Sequence, residues 1–394
     1  MRKMKTIEKL QLIALELKEM AIEREQEIDM AILAVLSGSH MVMLGPPGVA
    51  KSMLVHKFCE RIEGGRYFEY LLSKYTTDKD LFVAQTNIVE QSTEFGKSIR
   101  FVPDTTGMLP EAHIAFLDET FKANSATLNA LLTLINERKF HVQGVPISCP
   151  LISLFGASNE LPDEDEGLGA LYDRFLIRII SQRVKDHDHR IDMRQKSRTR
   201  RGKHSAGNFQ PTMITLTELA DLQKQVLQVE VPVSIDEQVE ELIEQLLAEG
   251  IIISDRRDVR VDPLLQAKAL IEGRQVVNIT DLSILRHCFW TDPKEIKTVE
   301  RIILSVSNPM ENEAMELMDQ AEEIRSNALK ATGDQAGAAG AEANTKLKKL
   351  VSAMSQLIES AKAQGVDTTK IIEAQKRIQG FNKEVVKICL GIDI

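Results

Sequence analysis

The sequence predicts an α/β protein: a P-loop core of αβα layers with a parallel sheet, followed by a small all-α domain and a C-terminal helical segment. Three observations point there. The stretch GPPGVAKS, Gly45 to Ser52, has the form of a phosphate-binding loop and stands between an apolar run and a helical period. Two further apolar runs, HIAFLDET (His113 to Thr120) and LISLFGASNELP (Leu151 to Pro162), end in polar residues suited to a nucleotide site. Beyond residue 212 the apolar spacing is mostly helical.

Composition bounds the function. The chain has 394 residues, enough for two or three domains with an ample core. With 49 basic against 58 acidic side chains the formal charge is −9, which argues against a dedicated nucleic-acid coat. Cys59, Cys149, Cys288 and Cys389 are scattered, without disulfide-scaffold or C-x-x-C spacing, so a reducing cytoplasm is expected. No apolar run approaches the roughly 18 residues of a membrane span. The polar start, MRKMKTIEKL, has no export-signal core.

Taken in order, a first helix is expected from Thr6 as N-cap, with Glu8 in its first turn. His40 to Leu44 (HMVML) is short and apolar, as a buried parallel strand is. It delivers the candidate binding segment Gly45, Pro46, Pro47, Gly48, Val49, Ala50, Lys51 and Ser52. Glycines let the backbone curl round phosphate oxygens at a helix N-terminus. Lys51 would reach the β- and γ-phosphates, and the Ser52 hydroxyl would bind Mg²⁺. Ala50 stands where the general pattern has a second glycine, and is tolerable there provided the backbone is already helical, with φ below zero. The strand at 113–120 ends in Asp118, a candidate for the Mg²⁺ shell, and Glu119, a candidate for polarising the attacking water. Asn159 follows the next strand and is suited to orienting a water. Arg174, in ALYDRFLIRII, can act within its own subunit or on a neighbour's phosphate.

Hairpins are expected at Thr86 to Val102 and Lys139 to Ser148. From Lys185 to Gln210 the apolar pattern lapses, and Arg194, Lys196, Arg198, Arg200, Arg201 and Lys203 fall together without an acid. A solvated linker is the favoured reading over nucleic-acid contact, because no aromatics offer a stacking platform. His187, His189 and His204 there fit no metal motif. Further on, Ser234 to Glu237 fits a capping box, Gly250 a helix stop, and Phe289 and Trp290 a core. After residue 305 three helical stretches keep seam spacing, the first two interrupted by Ala331 to Asn344 and the last two joined by Ala363 to Asp367. They read either as a partner-binding bundle or as helices packing back on the lid or a neighbour.

Together GPPGVAKS, FEYLLSKYTT, LPEAHIAFLDE, LNALLTLINERKF, ASNELP, ALYDRFLIR, ISDRR, KALIEGR and LSILRHCFWTD resemble the AAA+ ATPases, more narrowly the MoxR group in its RavA-like branch. The resemblance covers about residues 10 to 305. It implies that the alanine in the loop is the family's own choice. It also implies Walker A roles for Lys51 and Ser52, Walker B roles for Asp118 and Glu119, sensor 1 for Asn159 and an arginine finger in Arg174. Arg256, with Arg257 as the adjacent candidate, would be sensor 2, carried to the nucleotide by the lid. The implied activity is Mg-dependent ATP hydrolysis by a homo-oligomeric, hexameric ring that remodels a protein client, often beside a von Willebrand A domain protein. In the family the hairpin at 86–102 faces the ring's pore; a plain surface hairpin is the alternative. The expected domains are residues 1–190 (core), 191–211 (basic linker), 212–305 (lid) and 306–394 (C-terminal helices).

Overall fold

The computed structural model describes residues 5–391 except 94–95, 143–144, 163–165, 203–209, 332–333, 365 and 367. Helix α1 (Thr6–Met20) buries Leu10, Ile13, Ala14 and Leu17. Its cap is Lys5, not Thr6: Lys5 O already accepts the Lys9 N–H at 3.1 Å, the first bond of the helix, and the Lys5 N–H donates to Glu8 Oε2 at 2.9 Å, a carboxylate at the third helical position. Helix α2 (Glu25–Ser37) ends at Gly38, left-handed at φ 68°. Then come β1 (Met41–Leu44), α3 (Lys51–Cys59), β2 (Ile62–Glu63), β3 (Tyr67–Leu71) and α4 (Asp78–Phe82). The expected hairpins are β4 (Gln85–Thr93) with β5 (Gly96–Asp104) and, after β6 (Ile114–Asp118) and α5 (Ser125–Glu137), β7 (Lys139–Val142) with β8 (Val145–Ser148). The core closes with β9 (Ser153–Ser158), α6 (Glu166–Tyr172) and β10 (Ile177–Ile180).

The sheet runs β10-β1-β9-β6-β3, and every pairing in it is parallel. Residues of β1 and β9 are buried throughout, which is why these strands read as unbroken apolar runs. Parallel strands place all their C-terminal ends on one edge, where the loop after β1, Asp118 and Asn159 collect.

The stretch expected as a linker is instead largely helical: α7 spans His187–Gly202. Its Arg, Lys and Gln content favours helix, but it has no apolar stripe, so no periodic signal announced it. Asp186 Oδ1 accepts the N–H groups of Asp188 and His189 at 2.8 and 3.0 Å and so caps its start. Lys203 and His204 lie outside the described residues. Next, β11 (Ile214–Thr215) pairs with β2, and the helices α8 (Leu216–Val226), α9 (Val233–Ala248) and α10 (Asp255–Ile271) follow. Helix α9 starts after Pro232, so Ser234 is in its first turn and does not cap it; the proline's fixed φ of −67° sets the start two residues earlier. Phe289 and Trp290 are buried, as expected.

The chain divides into compact units of residues 1–295 and 296–394. The second holds α11 (Ile296–Ser307), α12 (Pro309–Lys330), α13 (Asp334–Ala363) and α14 (Thr369–Leu390). Ala314, Ala321 and Ala328, Leu347, Met354 and Ala361, and Ile371, Ile378 and Val385 repeat at seven-residue spacing and are all buried. The expected break at Ala331 to Asn344 is shorter, since α13 begins at Asp334. Gly340 explains this: a Cβ there would lie 2.4 Å from Cys389 Cβ, so the glycine serves close approach to α14 instead of a loop. Among the described residues no helix is long and apolar enough to cross a membrane.

His40, just before β1, is buried where four segments meet. The Leu154 N–H donates to Nδ1 at 3.0 Å, and Arg138 Nη1 lies 2.9 Å from Nε2. Burial, then the Arg138 charge, hold its pKa well below the usual histidine range. The folded state therefore binds fewer protons than the unfolded one, so the stability it carries is full above about pH 6.5 and is lost as pH falls below that. Thermal unfolding of wild type and His40→Asn at neutral and mildly acid pH should show a steeper acid loss in the wild type; parallel losses would exclude His40 as the cause.

Candidate active site

Gly45 opens the loop with its N–H donating to Ser158 O at 2.9 Å. A Cβ on Gly45 would stand 2.0 Å from the Ser181 carbonyl oxygen, so only glycine fits. Gly48 is left-handed at φ 79°, and Ala50 is too, at φ 66° and ψ 26°. This overturns the expectation that Ala50 has a negative φ. The chain must turn sharply to enter α3, and the left-handed conformation costs an alanine about 1–2 kcal/mol. The turn is held by Leu54 N–H donating to Ala50 O at 3.1 Å.

Lys51, the first residue of α3, is only 9% exposed. Its Nζ donates to Gly45 O at 2.7 Å, with Ser158 O at 3.5 Å. Burial lowers its pKa, opposed by the nearby charges of Asp118 and Glu119. The ammonium thus lies inside the loop, in the electrostatic field of both carboxylates. Ser52 follows it in the same first helical turn, half-buried.

Asp118 ends β6, and its Oδ1 accepts the Glu119 N–H at 3.0 Å. Glu119 is left-handed at φ 52°. Its Oε1 accepts from Asn159 Nδ2 at 2.9 Å, and Lys122 Nζ lies 3.0 Å from Oε2. Thr120, fully buried, joins the two strands behind them: its hydroxyl donates to Leu117 O at 2.7 Å and accepts the Ala157 N–H at 3.0 Å. Thr120 and Lys122 escaped sequence reasoning, although both lie within four residues of Asp118.

Arg174 and Arg256 gather elsewhere. Arg174 Nε donates to Asn136 Oδ1 at 3.0 Å and Nη1 to Ala170 O at 2.6 Å. Its neighbour Asp173 accepts from Ser254 Oγ and from Arg256 Nη1, both at 2.7 Å. Burial would raise the Asp173 carboxyl, but those hydrogen bonds and the Arg257 charge hold it below the usual range. Burial lowers Arg174, as do the charges of Arg256 and Arg260, so three arginines share this place. Arg257 is different: it is buried, and its Nη2 donates to Ile252 O at 3.1 Å and Thr291 Oγ1 at 3.2 Å, so it braces the lid. The Arg256 side chain is partly exposed while its Nη1 is held by Asp173.

Strand register places this cluster relative to the loop. Ile177 pairs with Met41 where β1 begins, and Ile180 with Leu44 where the loop departs. Asp173 and Arg174 precede Ile177, so they lie where strands begin, with about 13 Å of strand before the loop's edge. The structure brings Gly45–Ser52, Asp118, Glu119 and Asn159 together. The same register sets the backbone of Arg174, and through Asp173 the Arg256 side chain, toward the opposite edge of the sheet.

Comparisons with known proteins bear on the family and the fold. Residues 8–224 match a family described as the MoxR domain in the MoxR-vWA-beta-propeller ternary systems, and residues 234–303 match an AAA lid domain. The chain is 34% identical to the uncharacterized protein MJ0812 of Methanocaldococcus jannaschii over 385 residues, covering 95% of this chain and 98% of that one. It is 26% identical to the chaperone MoxR1 of Mycobacterium tuberculosis over 171 residues, 42% of each chain. A crystal structure of an ATPase candidate from Cytophaga hutchinsonii superposes with a TM-score of 0.57 at 17% identity, covering 77% of this chain and 95% of that one.

The left-handed Ala50 yields a substitution test. Ala50→Gly should keep nucleotide affinity and thermal stability, while the β-branched Ala50→Val should lose about 1 kcal/mol or more of stability. Equal behaviour of the two by thermal denaturation would contradict the strained turn.

Proposed function

The chain belongs to the MoxR family of AAA+ ATPases, and from that premise we propose that it works as a ring whose ATP sites are each completed by the neighbouring copy. The observation that carries this is the separation of Arg174 and Arg256 from Lys51, Glu119 and Asn159 by the length of a strand. An arginine at the far edge of the sheet from its own loop is placed to serve a second chain, and a head-to-tail contact repeated between identical copies makes a ring when its rotation closes, here read as a hexamer. Asp173 holds Arg256 beside Arg174, so the sensor 2 residue is read as acting across the same boundary as the finger.

The donor set fits the expected ligands. Loop N–H groups, a helix N-terminus and a buried ammonium suit phosphate, and the Ser52 hydroxyl with the Asp118 carboxylate supplies the hard oxygens that Mg²⁺ takes. Bound there, Mg²⁺ would neutralise charge on the β- and γ-phosphates. Lys51 would exchange its bond to Gly45 O for a phosphate oxygen. Glu119 takes the proton of the attacking water, and Asn159, already bonded to it, orients that water. Arg174 and Arg256 of the adjacent copy stabilise charge developing on the transferred phosphoryl group.

ATP binding and loss would move the lid against the core, and the hairpin β4–β5 would carry that motion to a protein client at the pore. The relatives support a client-remodelling role: one is named a chaperone, and the matching family is described from systems containing a vWA protein. A vWA domain protein is therefore the expected partner. Placement in the RavA-like branch rests on the sequence motifs. The proposed domains remain core 1–190, a basic connection at 191–211, lid 212–305 and a C-terminal module at 306–394. The scattered spacing of the four cysteines in the sequence is the ground for proposing a reducing cytoplasm.

Glu119→Gln should cut turnover by about 10²–10⁴ while ATP still binds. Steady-state hydrolysis beside equilibrium binding checks this, and undiminished turnover would remove Glu119 from the mechanism. Wild-type specific activity should rise with protein concentration, and Arg174→Ala should lose up to about 10³–10⁵ of it without losing nucleotide. A flat concentration profile with an active Arg174→Ala would defeat the shared-site reading.

A further inference from the structure

Beneath the phosphate loop lies a buried arginine that the chemistry above does not use. Arg24 immediately precedes α2 and is 7% exposed. Its guanidinium donates to main-chain carbonyls of three segments: Nε to Val49 O in the loop at 3.1 Å, Nη1 to Glu23 O and Nη2 to Gln182 O beyond β10, both at 2.5 Å. Buried Glu27 lies 3.6 Å away and offsets its charge. Beside Gln182, the Ser181 N–H donates to Leu44 O at 2.7 Å, and the Ser181 carbonyl fills the space that a side chain on Gly45 would need. Glu23, left-handed at φ 55°, accepts the Lys185 and Asp186 N–H groups at 2.9 and 3.2 Å, just ahead of α7. One pair of residues thus ties the loop to the strand exit and to the start of α7.

The Val49 carbonyl belongs to the peptide that joins Val49 to Ala50, between the loop's two left-handed residues, Gly48 and Ala50. A trans peptide points its C=O and N–H in opposite directions. Holding that carbonyl toward Arg24 therefore turns the Ala50 N–H away from Arg24. A planar, forked guanidinium can bond several carbonyls at once, whereas a lysine is a single point donor.

We propose that Arg24 is a positioning residue for phosphate binding: by fixing the Val49 carbonyl it aims the Ala50 N–H into the loop and keeps the strained turn formed before nucleotide arrives. This rests on the reading of Gly45–Ser52 as a nucleotide site.

The test measures ADP binding, steady-state ATP hydrolysis and hydrogen exchange for wild type, Arg24→Lys and Arg24→Gln. The ADP Kd should rise about tenfold or more in both variants, the affinity worth of one charge-assisted hydrogen bond. KM should rise with it, while kcat at saturation changes far less. Exchange should quicken in the peptide covering 45–55 and stay at the wild-type rate in β3 and β6. An unchanged Kd with unchanged loop exchange overturns the proposal. So does exchange that quickens equally across the whole sheet, since Arg24 would then be a general stabiliser. A wild type that binds no ADP would instead sink the nucleotide-site reading beneath it.

Discussion

The pairing of β1 on both sides is the constraint on which the site depends. Met41 faces Phe155 and Ile177, and Leu44 faces Ser158 and Ile180, so a strand of four residues is fixed against two neighbours at once. The Gly45 N–H then bonds Ser158 O, which places Asn159 beside the loop, and Asn159 in turn holds Glu119. Parallel strands send whatever follows them to one edge and whatever precedes them to the other. The same register that assembles the phosphate end therefore holds Arg174, and through Asp173 also Arg256, a strand's length away.

This assembly contains strain. Glu23, Ala50, Glu119 and Arg138 are non-glycine residues with positive φ. Each costs roughly 1–3 kcal/mol and persists only where the surroundings over-determine it. Arg138 shows how: as the C-cap of α5 it donates to Ile135 O, Gly38 O and Ile152 O, beside His40. Glu119 is fixed by Asn159 and Lys122, with Thr120 anchoring the next residue to β9. These bonds connect elements that are distant in sequence, so the packed sheet, and not local preference, supplies the rigidity.

Much of this was legible in the sequence, and the gaps have physical reasons. Strands β1, β6 and β9 are buried on both faces, so each left an apolar run ending in its functional residue. The C-terminal helices were readable from their buried seam. Strand β3 was not read as a strand, because this edge strand has Phe68 as its one buried residue and takes its order from pairing with β6. Helix α7 looked like a linker because every face of a highly charged helix looks alike. The positive φ of Ala50 is invisible in residue type, since this alanine occupies a dihedral that favours glycine. Arg256 came from the family resemblance, with Arg257 beside it, and its partner Asp173, far away in sequence, left no signal. Arg24 gave no signal at all, because its acceptors are backbone carbonyls.

The central claim, that two chains build each site, is tested most directly by mixing two inactive variants. Lys51→Ala keeps its arginines and lacks a working loop; Arg174→Ala keeps its loop and lacks the finger. Combined one to one before nucleotide is added, random assembly gives about a quarter of the sites an intact loop facing an intact finger. ATP hydrolysis should reappear in the mixture though neither variant has it alone. A mixture as inactive as its components, in assemblies shown to contain both variants, would contradict the account.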